Sequence, residues 1–120
     1  MNGLHLTADL RDCTAPPGAL TDVDTLRHTC LAAVEASGLT PVGELFHRFG
    51  GAGGTTGVVL LAESHMAVHT WPEMDAVTLD VYVCNFGADN TSRAHALMDR
   101  LVAHFAPGRV ERHALDRGQA

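Results

Sequence analysis

From Leu4 to Leu10 the chain alternates apolar and polar residues (Leu4-His5-Leu6-Thr7-Ala8-Asp9-Leu10), the two-residue period of a half-buried strand. Ala15-Pro16-Pro17-Gly18 breaks that pattern with a loop. The period then lengthens. Val23, Leu26, Cys30, Ala33 and Val34 recur at helical spacing behind Thr21 and Asp22, either of which can cap, and Ser37-Gly38 supplies a stop. Residues 40–48 return to strand character through Val42, Leu45 and Phe46. Gly50-Gly51-Ala52-Gly53-Gly54 follows, and with no Lys-Ser or Lys-Thr behind it the segment reads as a flexible hairpin or active-site loop, not a nucleotide phosphate loop.

Thr55 to Ala62 is a β-branched, apolar run suited to a buried central strand. Ala76 to Cys84 alternates Val77, Leu79, Val81 and Val83 against Thr78, Asp80 and Tyr82, and Trp71 to Asp75 is expected as the turn between the two strands. A second helix is expected behind Asn90, with Ala94, Leu97, Met98, Leu101, Val102 and Phe105 as its stripe and Pro107-Gly108 as its end. A short strand from Val110 to Leu115 closes the pattern. The order β-α-β-β-β-α-β with short connections predicts an α+β two-layer sandwich, a largely antiparallel sheet with two helices on one face. A length of 120 residues suits one domain spanning 1–120.

Composition removes several function classes. A net charge of −6, with only eight scattered Lys and Arg residues, leaves no basic stripe for a nucleic-acid backbone. No apolar run approaches membrane-spanning length, and Met1 to His5 lacks the basic and apolar regions of a signal peptide, so a cytoplasmic protein without membrane contact is expected. Cys13, Cys30 and Cys84 are an odd, widely spaced set, which points to reduced thiols; Cys30 reads as helix core. His28, His95, His104 and His113 fall at positions that look solvent-facing or structural.

The chemistry concentrates between Glu63 and Glu73, where a serine, two histidines and two glutamates occupy eleven residues. Residue types alone leave several readings open. Ser64 can be an ordinary strand-end serine, His69 a satisfied strand histidine, Cys84 a core thiol, and Phe49 and Trp71 packing residues. His65, His69 and Cys84 offer zinc ligands, but His-Glu-x-x-His is absent, and no Gly-x-Ser-x-Gly elbow supports a serine hydrolase. A Cys84–His69 nucleophile pair stays open. Geometry adds a constraint: five residues separate Ser64 from His69, so a regular strand would point them to opposite faces. Joint action on one bond therefore predicts a bulge, turn or strand end within residues 64–69.

The unbroken E-S-H-x-x-x-H-T-W-P-E run from Glu63 to Glu73 resembles the processing site of the small prokaryotic S-adenosylmethionine decarboxylase proenzymes, and the likeness extends over most of residues 3–105. The resemblance implies cleavage between Glu63 and Ser64, giving a β chain of 1–63 and an α chain of 64–120, with Ser64 converted into a pyruvoyl cofactor. That chemistry needs a serine hydroxyl attacking its own preceding carbonyl, and then a base for the serine α-hydrogen. His69 matches the family's processing base, and Thr56 stands where the family has an assisting serine hydroxyl. Cys84 matches the proton donor of turnover, a role suited to a thiol. Phe49 matches an aromatic that stacks on adenine across a dimer interface, Glu73 a carboxylate for the ribose hydroxyls, and His5 and Asp9 an N-terminal H-L-x-x-[DE] segment.

The resemblance therefore implies a homodimeric carboxy-lyase, without a metal, that converts S-adenosylmethionine into the aminopropyl donor for spermidine synthesis. The pyruvoyl ketone accepts a substrate amine and the electrons released with CO2. Two segments depart from the family pattern: Met74-Asp75 stands where a Gly-Tyr pair is common, and Val83-Cys84-Asn85-Phe86 where Thr-Cys-Gly is common. These changes flank the substrate site and leave a free basic amino acid, arginine or ornithine, as the alternative substrate. An inactive homologue acting through a partner is a third reading.

Overall fold

Alternation along the strands and stripes along the helices meet in one core. The computed structural model describes residues 2–118. Its elements are β1 (Gly3–Cys13), α1 (Val23–Ala36), β2 (Pro41–Arg48), β3 (Thr55–Leu61), β4 (Ser64–Trp71), a short 3-10 turn (Pro72–Met74), β5 (Ala76–Cys84), α2 (Thr91–Phe105) and β6 (Pro107–Arg117). Six strands form one sheet in the order β2-β3-β4-β5-β1-β6, and every neighbouring pair is antiparallel.

Leu4, Leu6, Ala8 and Leu10 of β1, Met66 and Val68 of β4, and Val77, Leu79, Val81 and Val83 of β5 are buried on one face of the sheet. The helices cover that face with Leu26, Cys30 and Val34 of α1 and Ala94, Leu97, Met98, Leu101 and Phe105 of α2. The shortest dimension, 21 Å, accommodates one sheet and one helix layer of about 10 Å each. This is the expected α+β sandwich. Among the described residues, no helix packs on the other sheet face. That face presents the residues of opposite parity, among them His5, Thr7, Thr56, Val58, His65, Ala67, His69, Asp80 and Tyr82, all half-buried.

The structure differs from the sequence expectation in four places. Residues 64–71 form a strand of their own, joined to β3 by the two residues Ala62 and Glu63, with Leu61 paired to Ser64. The expected turn at Trp71–Asp75 shrinks accordingly: Trp71 ends β4, and the turn closes through the Asp75 N–H donating to Pro72 O at 3.2 Å. The last strand runs from 107 to 117 instead of 110 to 115, because β1 pairs with it as far as Gly3–Arg117. Asn90 is not a side-chain cap for α2. Asp89 Oδ1 instead accepts the Thr91 N–H at 2.9 Å, and Asn90 turns its amide back onto Cys84 O at 2.9 Å. For α1, Asp22 and not Thr21 is the cap, accepting from the N–H groups of Asp24 and Thr25.

His104, in the last turn of α2, encloses its Nε2 without a hydrogen-bond partner among the described residues, and burial holds its pKa below the ordinary histidine value. The folded state therefore favours the neutral ring. The unfolded chain takes up a proton first as pH falls through about 6.5, so His104 costs stability on the acid side of that value and nothing above it. His104→Leu is expected to flatten the loss of stability between about pH 7 and pH 5 relative to the parent chain, measured as urea midpoints across that range. Parallel curves for the two proteins would refute the assignment.

Candidate active site

The Glu63–Ser64 bond lies in the tight link between β3 and β4. Glu63 adopts φ +55°, a left-handed conformation that a side chain other than Gly or Asn tolerates at a cost of about 1–2 kcal/mol. Ser64 opens β4 on the helix side of the sheet and is 9% exposed. Its Oγ accepts the backbone N–H of Cys84 at 3.1 Å, across from the end of β5. A hydroxyl held as an acceptor keeps its own proton available for removal, and the donating amide stabilises negative charge growing on that oxygen.

Cys84 makes two further hydrogen bonds. Its Sγ accepts the Phe86 N–H at 3.5 Å, and its carbonyl accepts the Asn90 side-chain amide. An open cleft of about 320 Å³ is lined by Glu63, Tyr82, Cys84 and Phe86. The Tyr82 ring stacks on His65 with centroids 5.7 Å apart and meets His5 edge-on, while His5 Nε2 lies 3.1 Å from Asp80 Oδ1. The other cysteines are poor candidates for proton transfer. Burial pushes the Cys30 thiol up to about 12, and burial together with Asp75 and Asp12 raises that of Cys13. Phe86 belongs to the segment expected to flank the substrate site, whereas Tyr82, two residues before Cys84, reads in the sequence only as part of the strand alternation.

The remaining expected residues gather at the opposite end of β4. Thr56 and His69 are register partners on β3 and β4, with Oγ1 and Nδ1 3.1 Å apart. The His69 ring leans on Trp71 at 5.9 Å, and His47, the β2 partner of Thr56, meets Phe49 edge-on at 4.8 Å. Phe49 is 50% exposed, and Glu73 stands exposed in the 3-10 turn. Gly54 is required here, because a Cβ at that position would lie 1.8 Å from Thr70 O.

The irregularity expected within residues 64–69 is absent: the strand from Ser64 to Trp71 is regular, the tight turn lies before it, and this counts against His69 acting on Ser64 of its own chain. Ser64 faces the helices and His69 the open face. Five residues of strand separate them by about 17 Å. Within one chain, therefore, His69 does not reach the Glu63–Ser64 bond, and Thr56, Phe49 and Glu73 lie with His69. His65 and His69 are four residues apart along β4, and no group of three or more His, Cys, Asp or Glu among the described residues is arranged to hold a metal ion.

The family model described as S-adenosylmethionine decarboxylase matches residues 4–118. The chain belongs to the S-adenosylmethionine decarboxylase family. It is 37% identical over 116 residues to an S-adenosylmethionine decarboxylase proenzyme of Hydrogenobaculum sp., covering 97% of this chain and 81% of that one. It is 34% identical to the proenzyme of Archaeoglobus fulgidus, with 97% of both chains covered. The crystal structure of the adenosylmethionine decarboxylase from Aquifex aeolicus superposes with a TM-score of 0.87 at 35% identity, covering 98% of this chain and 92% of that one. Membership of the S-adenosylmethionine decarboxylase family makes this chain a decarboxylase, a carboxy-lyase, and the shared architecture agrees with the six-stranded sandwich described above.

The conformation of Glu63 yields a direct test. In a Ser64→Ala background, Glu63→Asn is expected to raise the unfolding free energy by about 1 kcal/mol, since Asn tolerates the left-handed region. Unchanged urea midpoints would show that the turn holds no such strain.

Proposed function

We propose that this protein cleaves itself between Glu63 and Ser64, carries a pyruvoyl group made from Ser64, and decarboxylates S-adenosylmethionine for polyamine synthesis. The observation that carries the reading is the Cys84 amide on Ser64 Oγ. That bond sets the scissile junction and the candidate proton donor side by side at the cleft. The donor set fits the group: a buried, amide-held serine hydroxyl follows a left-handed residue in a tight turn. The pyruvoyl group would supply an electron sink for the electrons released with CO2. Glu63, Tyr82 and Phe86 shape the cleft around it, and Cys84 delivers a proton there.

His69 and Thr56 then belong to processing, Phe49 and Glu73 to nucleoside binding, and all four would act on the cleft of a second copy. The uncovered sheet face supports this arrangement. A two-fold axis through that face stacks sheet on sheet and lays the Thr56–His69 end of one β4 over the Ser64 end of the other. Such a homodimer holds two equivalent sites, each drawn from both chains. It also buries the half-exposed row of His5, Tyr82, His65 and Ala67. The family match favours the sulfonium nucleoside over free arginine or ornithine as substrate.

Denaturing mass spectrometry is expected to find two fragments divided at Glu63–Ser64, and CO2 release from S-adenosylmethionine but not from arginine or ornithine. Ser64→Ala should leave one intact chain, and an intact wild-type chain after prolonged incubation would refute the reading. The shared site has its own test. When Ser64→Ala and His69→Ala chains are co-expressed, the His69→Ala chain should be cut and the Ser64→Ala chain should not. Persistence of both intact chains in a verified mixed dimer would sink the exchange of His69 between copies.

A further inference from the structure

Two consecutive carbonyls in the loop before α1 hold two segments of the site. Leu20 O accepts the Thr70 hydroxyl at 2.9 Å, and Thr21 O accepts Arg48 Nε at 2.7 Å. The loop is stiff where it does so, because the N–H groups of Thr21 and Asp22 both donate to Gly18 O, and Asp22 caps α1.

Thr70 lies between His69 and Trp71, is 4% exposed, and also accepts the Thr55 N–H at 2.9 Å, one residue before Thr56. Its hydroxyl therefore ties together the strands that carry Thr56 and His69. Arg48 precedes Phe49, and its two terminal nitrogens donate to Phe49 O at 2.9 Å and Gly51 O at 3.2 Å. The planar guanidinium spans three carbonyls at once, which the single ammonium of lysine does not do in the same way. Two backbone bonds close the loop, Phe49 N–H to Gly54 O at 2.9 Å and Gly53 N–H to Gly50 O at 3.2 Å, and the clamp adds the hold on Phe49 O and Gly51 O that Gly50 and Gly51, with no atom within 4 Å of a Cβ, do not supply by packing.

We propose that residues 18–22 form a common anchor for the site, with Thr70 positioning the Thr56–His69 pair for self-cleavage and Arg48 positioning Phe49 for the nucleoside. Neither side chain touches a reacting atom, so both are positioning residues. The proposal rests on the roles given above to His69 and Phe49.

A destabilised fold would disturb cleavage and nucleoside binding together, whereas the anchor predicts that they separate. Thr70→Val should slow cleavage, followed by denaturing mass spectrometry, about tenfold or more, with Thr70→Ser restoring it. In the protein that does become cleaved, Thr70→Val should change the calorimetric Kd for 5′-methylthioadenosine by less than about twofold, since Thr70 is buried and its hydrogen bonds run to Leu20 and Thr55. Arg48→Lys should raise that Kd, and KM, about fivefold by loosening an aromatic contact, with kcat and cleavage within about twofold of the parent. Both variants moving both quantities, or neither variant moving any, would overturn the proposal. His69→Ala and Phe49→Ala run alongside. If His69→Ala leaves cleavage intact and Phe49→Ala leaves the Kd intact, the underlying site reading fails and the anchor falls with it. If those controls respond while Thr70→Val and Arg48→Lys do not, the anchor alone is wrong.

Discussion

The antiparallel ladders on both sides of β4 fix where each group of the site stands. β4 pairs with β3 from Ser64 to His69 and with β5 from His65 to Trp71. A slip of one residue would turn Met66 and Val68 out of the core and bring His65 and His69 into it, an exchange of two apolar side chains for two imidazoles that the burial of both valine-rich neighbours forbids. The same register that packs the core therefore sends Ser64 toward the helices and His69 toward the open face. It leaves five residue steps of extended chain from one to the other. Core packing and site geometry are one constraint here.

Much of the fold was legible because each layer has its own period. The alternation of β1 and β5 and the stripes of both helices appear in the residues themselves, and the buried positions follow them. β4 escaped because its residues read as a motif, and two histidines, His65 and His69, on the half-buried face masked an ordinary alternation with Met66, Val68 and Thr70. The length of β6 was not legible for a different reason. Its polar sequence has little strand character, and pairing with β1 imposes the conformation.

The site divided along similar lines. The family resemblance marked Glu63, Ser64, His69, Cys84, Thr56, Phe49 and Glu73 as candidates, but not that they fall in two clusters at opposite ends of one strand. That division depends on register and parity, which a motif written as a line of letters does not display. Asn90 shows the same limit at smaller scale. A residue with the profile of a helix cap spends its side chain on the carbonyl of Cys84, because the turn from Cys84 to Asn90 brings the two together. Arg48 and Thr70 carried no chemical signature, since the bonds that tie them to the loop before α1 end on Thr21 O and Leu20 O, backbone carbonyls distant in sequence.

The position of Glu63 in a two-residue link also bears on what would happen to the architecture once the chain is cut there. Residues up to 63 contribute β1, α1, β2 and β3, and the rest contribute β4, β5, α2 and β6. Three of the five ladders, β1 with β5, β1 with β6 and β3 with β4, join the two pieces. Because β1 is threaded between β5 and β6, the fragments interleave like the fingers of two hands. Opening the link breaks no ladder and releases no layer. A chain cut there would resemble a split protein, in which new chain ends stand at a surface turn while the two segments stay joined in a single sheet.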